Sequence, residues 1–243
     1  RYSRVTGVQT CALPIFSLTS ANSINVARFL PQAFYYFNAY ARLREAGVSG
    51  PIVVSVPSGN FGNLTAGLFA KRMGLPVKRF IAANNRNDIF YQYLQTGNYE
   101  PRPSDATNAN AMDVGDPSNF ARILDLYGRS LEAIRADISA ARYDDGQICR
   151  AIAETLERTG YLLDPHGACG YLALCEGLRE DETGVFLETA HPAKFRDRVE
   201  PVIGRSIEIP ARLAEFMRGK KLSVELPADF ETFKKYLIGE SDI

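Results

Sequence analysis

The sequence predicts an α/β protein with an open, mostly parallel sheet, flanking helices and a helical insertion. Two apolar, β-branched runs at residues 52–56 and 77–83 have the length and composition of buried strands. A helical stretch at residues 64–73 lies between them, so strand, helix and strand follow one another closely. This order forms a right-handed crossover, and the two strands are therefore expected to be parallel neighbours.

Size and charge limit the functions that this chain can have. Its 243 residues are enough to bury the core of an enzyme, and 28 basic and 28 acidic side chains give it a formal net charge of zero. A balanced charge provides no long-range attraction to nucleic acid or to an anionic membrane, and no apolar run is long enough to span one. We expect a small-molecule ligand, and the oligomeric state stays open.

The cysteines indicate a reducing compartment. The four of them are too sparse for a disulfide scaffold and show neither C-x-x-C nor Cys/His ligand spacing: Cys11, Cys149, Cys169 and Cys175. The sequence therefore predicts a cytoplasmic protein without a metal site.

The first 16 residues depart from the pattern of the rest of the chain. Their sequence, RYSRVTGVQTCALPIF, resembles a translated sequencing-adapter oligonucleotide. A signal peptide would need a basic segment followed by a sustained apolar one, and neither is present. We expect residues 1–16 to be an artefactual leader and the coding sequence to be truncated upstream of Ser17.

The turn PSGNFGN, residues 57–63, is the strongest candidate for a binding site. It joins a strand to a helix, so backbone N–H groups and the positive end of the helix dipole point to one place, as an anion requires. Its two glycines allow positive φ and close approach to a ligand, and Ser58, Asn60 and Asn63 can donate from their side chains. It is neither a P-loop nor a dinucleotide fingerprint. An ordinary turn with Asn63 as the helix N-cap is the alternative.

A second anion site is a hypothesis for Asn25 and Arg28. They precede a predicted aromatic-rich helix at residues 31–46, and arginine binds phosphate with two parallel hydrogen bonds. From the residues alone, a surface salt bridge is the simpler role for Arg28.

The middle of the chain is predicted to be a loop followed by a helical insertion, together residues 97–160. Residues 99–117 have no apolar period and many turn formers. Three amphipathic helices then follow, at residues 118–127, 131–141 and 147–158.

Three polar residues have competing interpretations. Asp88 is predicted to cap a helix, although Asn87 could do so instead. His166 has the chemistry of a general base, but no partner is visible and a structural role is favoured. Thr189 follows a buried strand at residues 184–188, where it is either a helix N-cap or a ligand contact.

Three motifs resemble the threonine synthase family, whose members are pyridoxal-phosphate enzymes of fold type II. They are SANSINVARFLPQAFYYFNAY, VPSGNFGNLTAGLFAKRMGLPVKRFIAANNRND and FLETAHPAKF, and the resemblance extends from Ser17 to the end of the chain. It implies a cofactor-binding α/β portion at residues 17–205 and a C-terminal helical tail at residues 206–243.

The resemblance also implies roles for particular residues. The loop would hold the cofactor phosphate through Ser58, Gly59, Asn60, Phe61, Gly62 and Asn63. Thr189 would face the pyridine nitrogen, where a hydroxyl does not force protonation as a carboxylate would. Asn25 and Arg28 would help to position the phosphate of the substrate.

The implied reaction converts O-phospho-L-homoserine and water to L-threonine and phosphate. The family's Schiff-base lysine lies in a Ser-Phe-Lys-Asp type segment that this chain lacks, and Lys194 is interpreted as structural. We therefore assign no catalytic residue and expect the chain alone to be inactive.

Two alternatives stay open. One is another fold type II enzyme, such as a threonine dehydratase or a cysteine synthase, although the Ser-Ile-Asn segment before Arg28 and the ETAHPAKF motif argue against it. The other is a binding module that holds a phosphate ligand without catalysis. Turnover of the candidate substrates would distinguish the enzymes, and visible absorption with pyridoxal phosphate would test the binding module.

Overall fold

The computed structural model describes residues 23–220 and 223–239. Their contacts divide them into two units, the first ending at Glu208 and the second beginning at Ile209. The sheet and the candidate site belong to the first unit. Among the described residues, no helix is both long and apolar enough to cross a membrane.

A parallel sheet of four strands forms the centre of the first unit. The strands are β1 (Ile52–Pro57), β2 (Val77–Asn84), β3 (Ile138–Arg142) and β4 (Thr183–Phe186), and their order is β3-β2-β1-β4. All three pairings are parallel, so the carboxyl ends of the strands meet at one edge. The predicted α/β class with a parallel sheet is confirmed.

Helices cover both faces of this sheet. The first unit contains α1 (Val26–Phe29), α2 (Ala33–Glu45), α3 (Gly62–Arg72), α4 (Ile89–Thr96), α5 (Phe120–Leu126), α6 (Leu131–Asp137), α7 (Asp145–Thr159), α8 (Pro165–Gly177) and α9 (Arg196–Ile203). Short 3₁₀ turns lie at Leu30–Gln32, Asn110–Met112 and Pro192–Phe195. The second unit contains α10 (Ala211–Met217) and α11 (Phe230–Leu237).

Alternate residues of the strands point into two separate cores. In β1, Val54 and Val56 belong to one core, whereas Val53 belongs to the other. In β2, Phe80 and Ile81 divide in the same way. Because each buried aliphatic or aromatic side chain contributes about 1.5–3 kcal/mol, both faces have to be covered for the sheet to be stable.

The predicted helix at residues 131–141 is wrong in its second half. Helix α6 ends at Asp137, and β3 begins at the next residue and pairs with β2 from Phe80↔Ile138 onward. Ile134 and Ile138 are both fully buried and four residues apart, a spacing that a helix also produces. Residues 138–142 form a strand and not a helix because they pair with the free edge of β2. This pairing gives the backbone N–H and C=O groups of that edge their hydrogen-bond partners. Residues 97–160 are therefore not simply a helical insertion, since they add a strand to the sheet.

Asp88 is a buried ion-pair partner, and its predicted role as a side-chain helix cap is wrong. It precedes α4 without a capping bond to that helix. Its carboxylate is 1% exposed, contacts Arg102, and accepts from Arg142 Nη1 at 2.9 Å. Burial alone would raise the pKa of Asp88, but the hydrogen bonds from Gln92, Arg142 and Arg102 outweigh it and lower that pKa.

Candidate functional site

The candidate site begins where β1 ends. Ser58 continues the strand pairing by one step, since its N–H donates to Ala83 O at 2.8 Å. Its hydroxyl donates to Val56 O at 2.7 Å, and the whole residue is buried. Both donors of Ser58 are therefore used inside the protein, where they anchor the start of the loop, and contact of Ser58 with a cofactor stays a prediction.

A left-handed residue directs the loop into α3, and it is not a glycine. Phe61 has a φ of 59°, whereas Gly59 and Gly62 do not have positive φ, contrary to expectation. The ring of Phe61 packs 4.8 Å from that of Phe90, which holds the residue in this uncommon conformation. The alternative of an ordinary turn with Asn63 as the helix N-cap does not hold, because α3 begins at Gly62 and Phe61 occupies the N-cap position.

The two glycines are needed because other segments of the chain approach them closely. A Cβ on Gly59 would lie 2.7 Å from Met112 Cα and 2.8 Å from Ala111 O. A Cβ on Gly62 would lie 2.8 Å from Ser23 Cβ. The loop is thus held between the segment near Ser23 and the 3₁₀ turn that contains Met112.

Consecutive backbone N–H groups of the loop are available to a ligand. From Gly59 through Leu64, none of the N–H groups donates to an acceptor within residues 23–220 or 223–239. The next N–H, of Thr65, makes the first helical bond, to Phe61 O at 2.9 Å. Unpaired donors at a helix N-terminus attract an anion through their partial charges. An anion bound at this loop would therefore be held by the main chain.

The amide side chains of the loop are occupied by protein contacts. Asn60 Oδ1 accepts from the N–H of Ser118 at 2.7 Å, and Asn60 Nδ2 donates to Ser23 Oγ at 2.6 Å. The hydroxyl of Tyr36 lies 2.8 Å from both the backbone oxygen and Oδ1 of Asn63. These contacts fix the shape of the loop. Asn60 Nδ2 therefore donates to the protein, and Asn63 is held through its oxygens.

Replacing Tyr36 with phenylalanine tests this support. The ring stays in the core, but the oxygens of Asn63 lose a donor in a place where Tyr36 is 3% exposed. We expect Tyr36→Phe to lower the free energy of unfolding by about 1–2 kcal/mol in urea titration. Tyr35→Phe is the matched control, because Tyr35 is 62% exposed and should change stability by less than about 0.5 kcal/mol. Equal effects of the two substitutions would contradict this role of Tyr36.

The loop and Thr189 line the same cleft. Its volume is about 550 Å³, within the range of small-molecule sites. One wall consists of residues 59–63, and another consists of Leu187, Glu188 and Thr189. Thr189 is not a helix cap, because His191 Nδ1 accepts from the N–H of Ala193 and caps the following 3₁₀ turn. Strand β4 ends at Phe186, so Thr189 lies in the loop beyond it.

Asn25 and Arg28 do not line this cleft. Asn25 Oδ1 accepts from the N–H of Ala27 at 3.0 Å and caps α1. The guanidinium of Arg28 is exposed and forms no ion pair with the described residues. From the same part of the chain, Ser23, Gln32 and Tyr35 contribute to the lining.

Helix α5 and its N-cap residue Asn119 hold two edges of the site together, and the sequence analysis predicted this helix but not its role. Asn119 Nδ2 donates to Asn60 O at 2.8 Å, and Arg122 Nη1 donates to Ser23 O at 3.3 Å. Arg122 Nη2 also bonds the carbonyl of Ile24. A helix start was visible in the sequence, but its contacts lie across more than 50 residues of chain, as the separation of 59 between Asn119 and Asn60 shows.

His166 is a structural residue of the cleft wall. Its Nδ1 lies 2.5 Å from Asp164 Oδ1, and its Nε2 accepts from the N–H of Ala111 at 3.1 Å. Both ring nitrogens are therefore used, which agrees with the favoured interpretation and leaves no free base. Burial raises the pKa of Asp164, but the hydrogen bond from His166 outweighs it, so that pKa is lowered.

Glycines near the start of α8 allow other segments of the chain to approach this helix closely. A Cβ on Gly167 would lie 1.7 Å from Glu188 Oε2, and one on Gly170 would lie 3.1 Å from Pro57 Cγ. The absence of side chains at these two positions therefore lets other protein side chains pack closely against the helix.

Comparison with known sequence families gives two matches. The family described as pyridoxal-phosphate dependent enzyme matches residues 22–189, and the family described as threonine synthase, C-terminal, matches residues 167–237. The first match covers the sheet, the loop and Thr189.

The individual proteins that match this chain are also threonine synthases. Threonine synthase of Escherichia coli (strain K12) is 46% identical over 221 residues, which are 91% of this chain and 51% of that protein. A crystal structure of threonine synthase from Escherichia coli matches with a TM-score of 0.88 and 42% identity, covering 98% of this chain and 55% of the other. A structure of threonine synthase with bound pyridoxal phosphate, from Brucella melitensis, matches with a TM-score of 0.83 and 33% identity, covering 100% of this chain and 58% of the other. The chain thus spans about half the length of the relatives that it matches.

Proposed function

This chain belongs to the family of pyridoxal-phosphate-dependent enzymes, and from that premise we propose that it is the matching C-terminal part of a threonine synthase. The complete enzyme would convert O-phospho-L-homoserine and water to L-threonine and phosphate. The observation that carries the proposal is the set of N–H groups from Gly59 through Asn63, which have no acceptor among the described residues and belong to a loop that lines the same cleft as Thr189.

The residues of the cleft fit the cofactor. Its phosphate would accept hydrogen bonds from the N–H groups of residues 59–63, where the dipole of α3 adds to the attraction. The hydroxyl of Thr189 would bond the pyridine nitrogen from the opposite wall. When bound, pyridoxal phosphate supplies an electron sink that makes protons beside the amino group of a substrate removable. The protein contributes orientation and a fixed set of donors.

Substrate binding is proposed for Asn25 and Arg28, which would help to hold the phosphate of O-phospho-L-homoserine. Because both lie outside the present cleft, this role requires a ligand or a further segment that extends the cleft toward α1. No lysine is assigned to covalent cofactor binding in this chain, so we propose that the chain alone does not turn over substrate.

We also propose a cytoplasmic location and a division into two parts. Cys149, Cys169 and Cys175 are free thiols, in keeping with a reducing compartment. Residues 17–205 would form the cofactor-binding portion and residues 206–243 a helical tail.

Binding of pyridoxine 5′-phosphate tests the proposed site. This compound has the ring and phosphate of the cofactor but no aldehyde, so it does not react with surface lysines. We expect the purified chain to bind it, to bind pyridoxine at least tenfold more weakly, and to release it when inorganic phosphate competes. Fluorescence of the ligand and ³¹P NMR are suitable measurements. Equal affinity for pyridoxine and its phosphate would rule out the anion cup.

Turnover tests the substrate. The product of the longest reading frame that contains this sequence should release phosphate from O-phospho-L-homoserine and form threonine. Deamination of threonine or turnover of O-acetylserine without this reaction would instead assign the chain to another enzyme of the same fold type.

A further inference from the structure

Two carboxyl groups lie together at the cleft, one of them, Glu188, in its lining and the other, Asp164, buried behind it, and neither belongs to the residues assigned to the cofactor. Asp164 precedes α8, and Glu188 precedes Thr189. The backbone N–H of Asp164 donates to Glu188 Oε1 at 2.8 Å. Each carboxyl group also has one buried oxygen without a hydrogen-bond partner, Asp164 Oδ2 and Glu188 Oε2. Unpartnered oxygens in a buried pair need an explanation.

Within the described residues, no lysine or arginine forms an ion pair with either carboxyl group. The imidazole of His166 contacts Asp164 through Nδ1, and its Nε2 accepts from the N–H of Ala111, so both ring nitrogens are already engaged. If both carboxyl groups were ionised, two negative charges would share one poorly solvated place, which is costly.

The position of Glu188 is fixed by the fold. Its carboxyl group lies directly against the backbone of Gly167, where an added Cβ would be 1.7 Å from Oε2 and 2.4 Å from Cδ. The side chain is held there by the N–H of Asp164. This place is near the N-terminus of α8, which favours a negative charge, so burial and the Asp164 carboxylate have to outweigh the helix dipole.

The balance of these effects places one proton on the pair. The backbone N–H of Asp164 holds Glu188 Oε1, so the two residues are in contact, and a hydrogen bond between their carboxyl groups requires one of them to be protonated. Burial raises the pKa of Glu188 to about 8, with a further contribution from the charge of Asp164. The pKa of Asp164 is lowered by His166. The proton therefore belongs to Glu188.

We propose that Glu188 is a positioning residue that carries a proton at neutral pH, shares it in a hydrogen bond with Asp164, and is itself uncharged beside Thr189. The effect of this proton on the pyridine nitrogen of the cofactor rests on the proposed function. A carboxylate at position 188 would favour a protonated nitrogen, whereas a neutral carboxyl group there lets the hydroxyl of Thr189 act as the donor to an unprotonated one. By staying neutral, Glu188 thus supports the electronic role that is proposed for the neighbouring Thr189.

The proton is measured first without any ligand. Infrared difference spectra of the chain between about pH 5 and about pH 10 should show a protonated carboxyl group that disappears with a midpoint near pH 8. Glu188→Gln should remove this signal, and Glu180→Gln, at an exposed position, should keep it. The other titratable groups facing the pair are His166 and Tyr161, and neither produces a carboxyl signal. Titration of Glu188 near its ordinary value of 4.5 would overturn the proposal.

The pH dependence of stability gives an independent readout. Because the pKa of Glu188 is raised on folding, the folded state binds the proton more tightly between about pH 4.5 and about pH 8. Its contribution to stability is complete below this window and is lost as the pH rises through it. Glu188→Gln keeps a neutral donor toward Asp164 at every pH. Its stability relative to the unmodified chain should therefore increase as the pH rises through this window. A difference that does not change with pH would contradict the assignment.

Ligand binding then separates this proposal from the proposed function. Pyridoxine 5′-phosphate should bind the unmodified chain and Glu188→Gln equally at pH 7, and at least threefold more weakly to the unmodified chain above pH 8. If neither protein binds the ligand while the carboxyl signal is present, the proposed function fails and the proton on Glu188 stands. If both bind it identically at every pH, the effect of Glu188 on the cleft is wrong although the anion cup stands.

Discussion

Gly59→Ala is expected to abolish measurable binding of pyridoxine 5′-phosphate at concentrations that saturate the unmodified chain. The added Cβ would meet backbone atoms of Ala111 and Met112 at 2.7–2.8 Å, and backbone atoms cannot rotate away as a side chain can. The loop must shift, and its N–H groups then no longer converge on one point. We expect a loss in affinity of at least tenfold and a cost of about 1–3 kcal/mol in stability.

A matched substitution separates the geometry of the loop from a general effect of alanine. Gly50 also lacks positive φ, and a Cβ there would have its nearest contacts at 3.5 Å and 3.6 Å, which are ordinary distances. Gly50→Ala should therefore leave both affinity and stability nearly unchanged. If Gly59→Ala bound the ligand as well as Gly50→Ala does, the close approach of Met112 would not shape the site.

Asp113→Ala is expected to cause the largest loss of stability among these variants. The Asp113 carboxylate accepts from the N–H of Thr107 at 2.9 Å and its hydroxyl at 2.7 Å, and from the amides of Asn85 at 2.8 Å and Asn87 at 3.1 Å. Without it, several buried donors lose their acceptor, at a cost of about 3 kcal/mol. Urea titration measures this loss.

The same substitution should also loosen the segment that borders the cleft. Residues 105–113 are joined to the end of β2 by this network, and Ala111 and Met112 line the cleft beside the loop. Hydrogen exchange in this segment should therefore accelerate in Asp113→Ala. Asp105→Ala is the control, because the side chain of Asp105 is exposed and forms no hydrogen bond with the described residues. Equal effects of both changes would argue against a specific role of Asp113.

Much of the fold followed from local sequence patterns. The strands β1 and β2, the helix between them and their parallel pairing were predicted within a few residues of their bounds. The resemblance to the pyridoxal-phosphate family is confirmed by the match over residues 22–189. These features depend on apolar period and turn chemistry, which neighbouring residues encode.

The errors share one physical origin. The predicted helix at residues 131–141 and the predicted capping role of Asp88 both used only local information. In the structure, β3 pairs with the free edge of β2, and Arg102 and Arg142 form ion pairs with Asp88. In each case a partner distant in sequence satisfied a backbone or charged group better than the local alternative did.

The sequence by itself determined that a strand would turn into a helix through residues 57–63, where an anion site was predicted. Only the tertiary structure decided that the main-chain N–H groups of this loop have no acceptor among the described residues while Asn60 and Asn63 hold the loop, and that Glu188 meets Asp164 across 24 residues of chain. The reason is that backbone conformation and helix ends arise from a few adjacent residues. The partners and the protonation of a buried side chain depend on which distant segments the packed sheet brings against it.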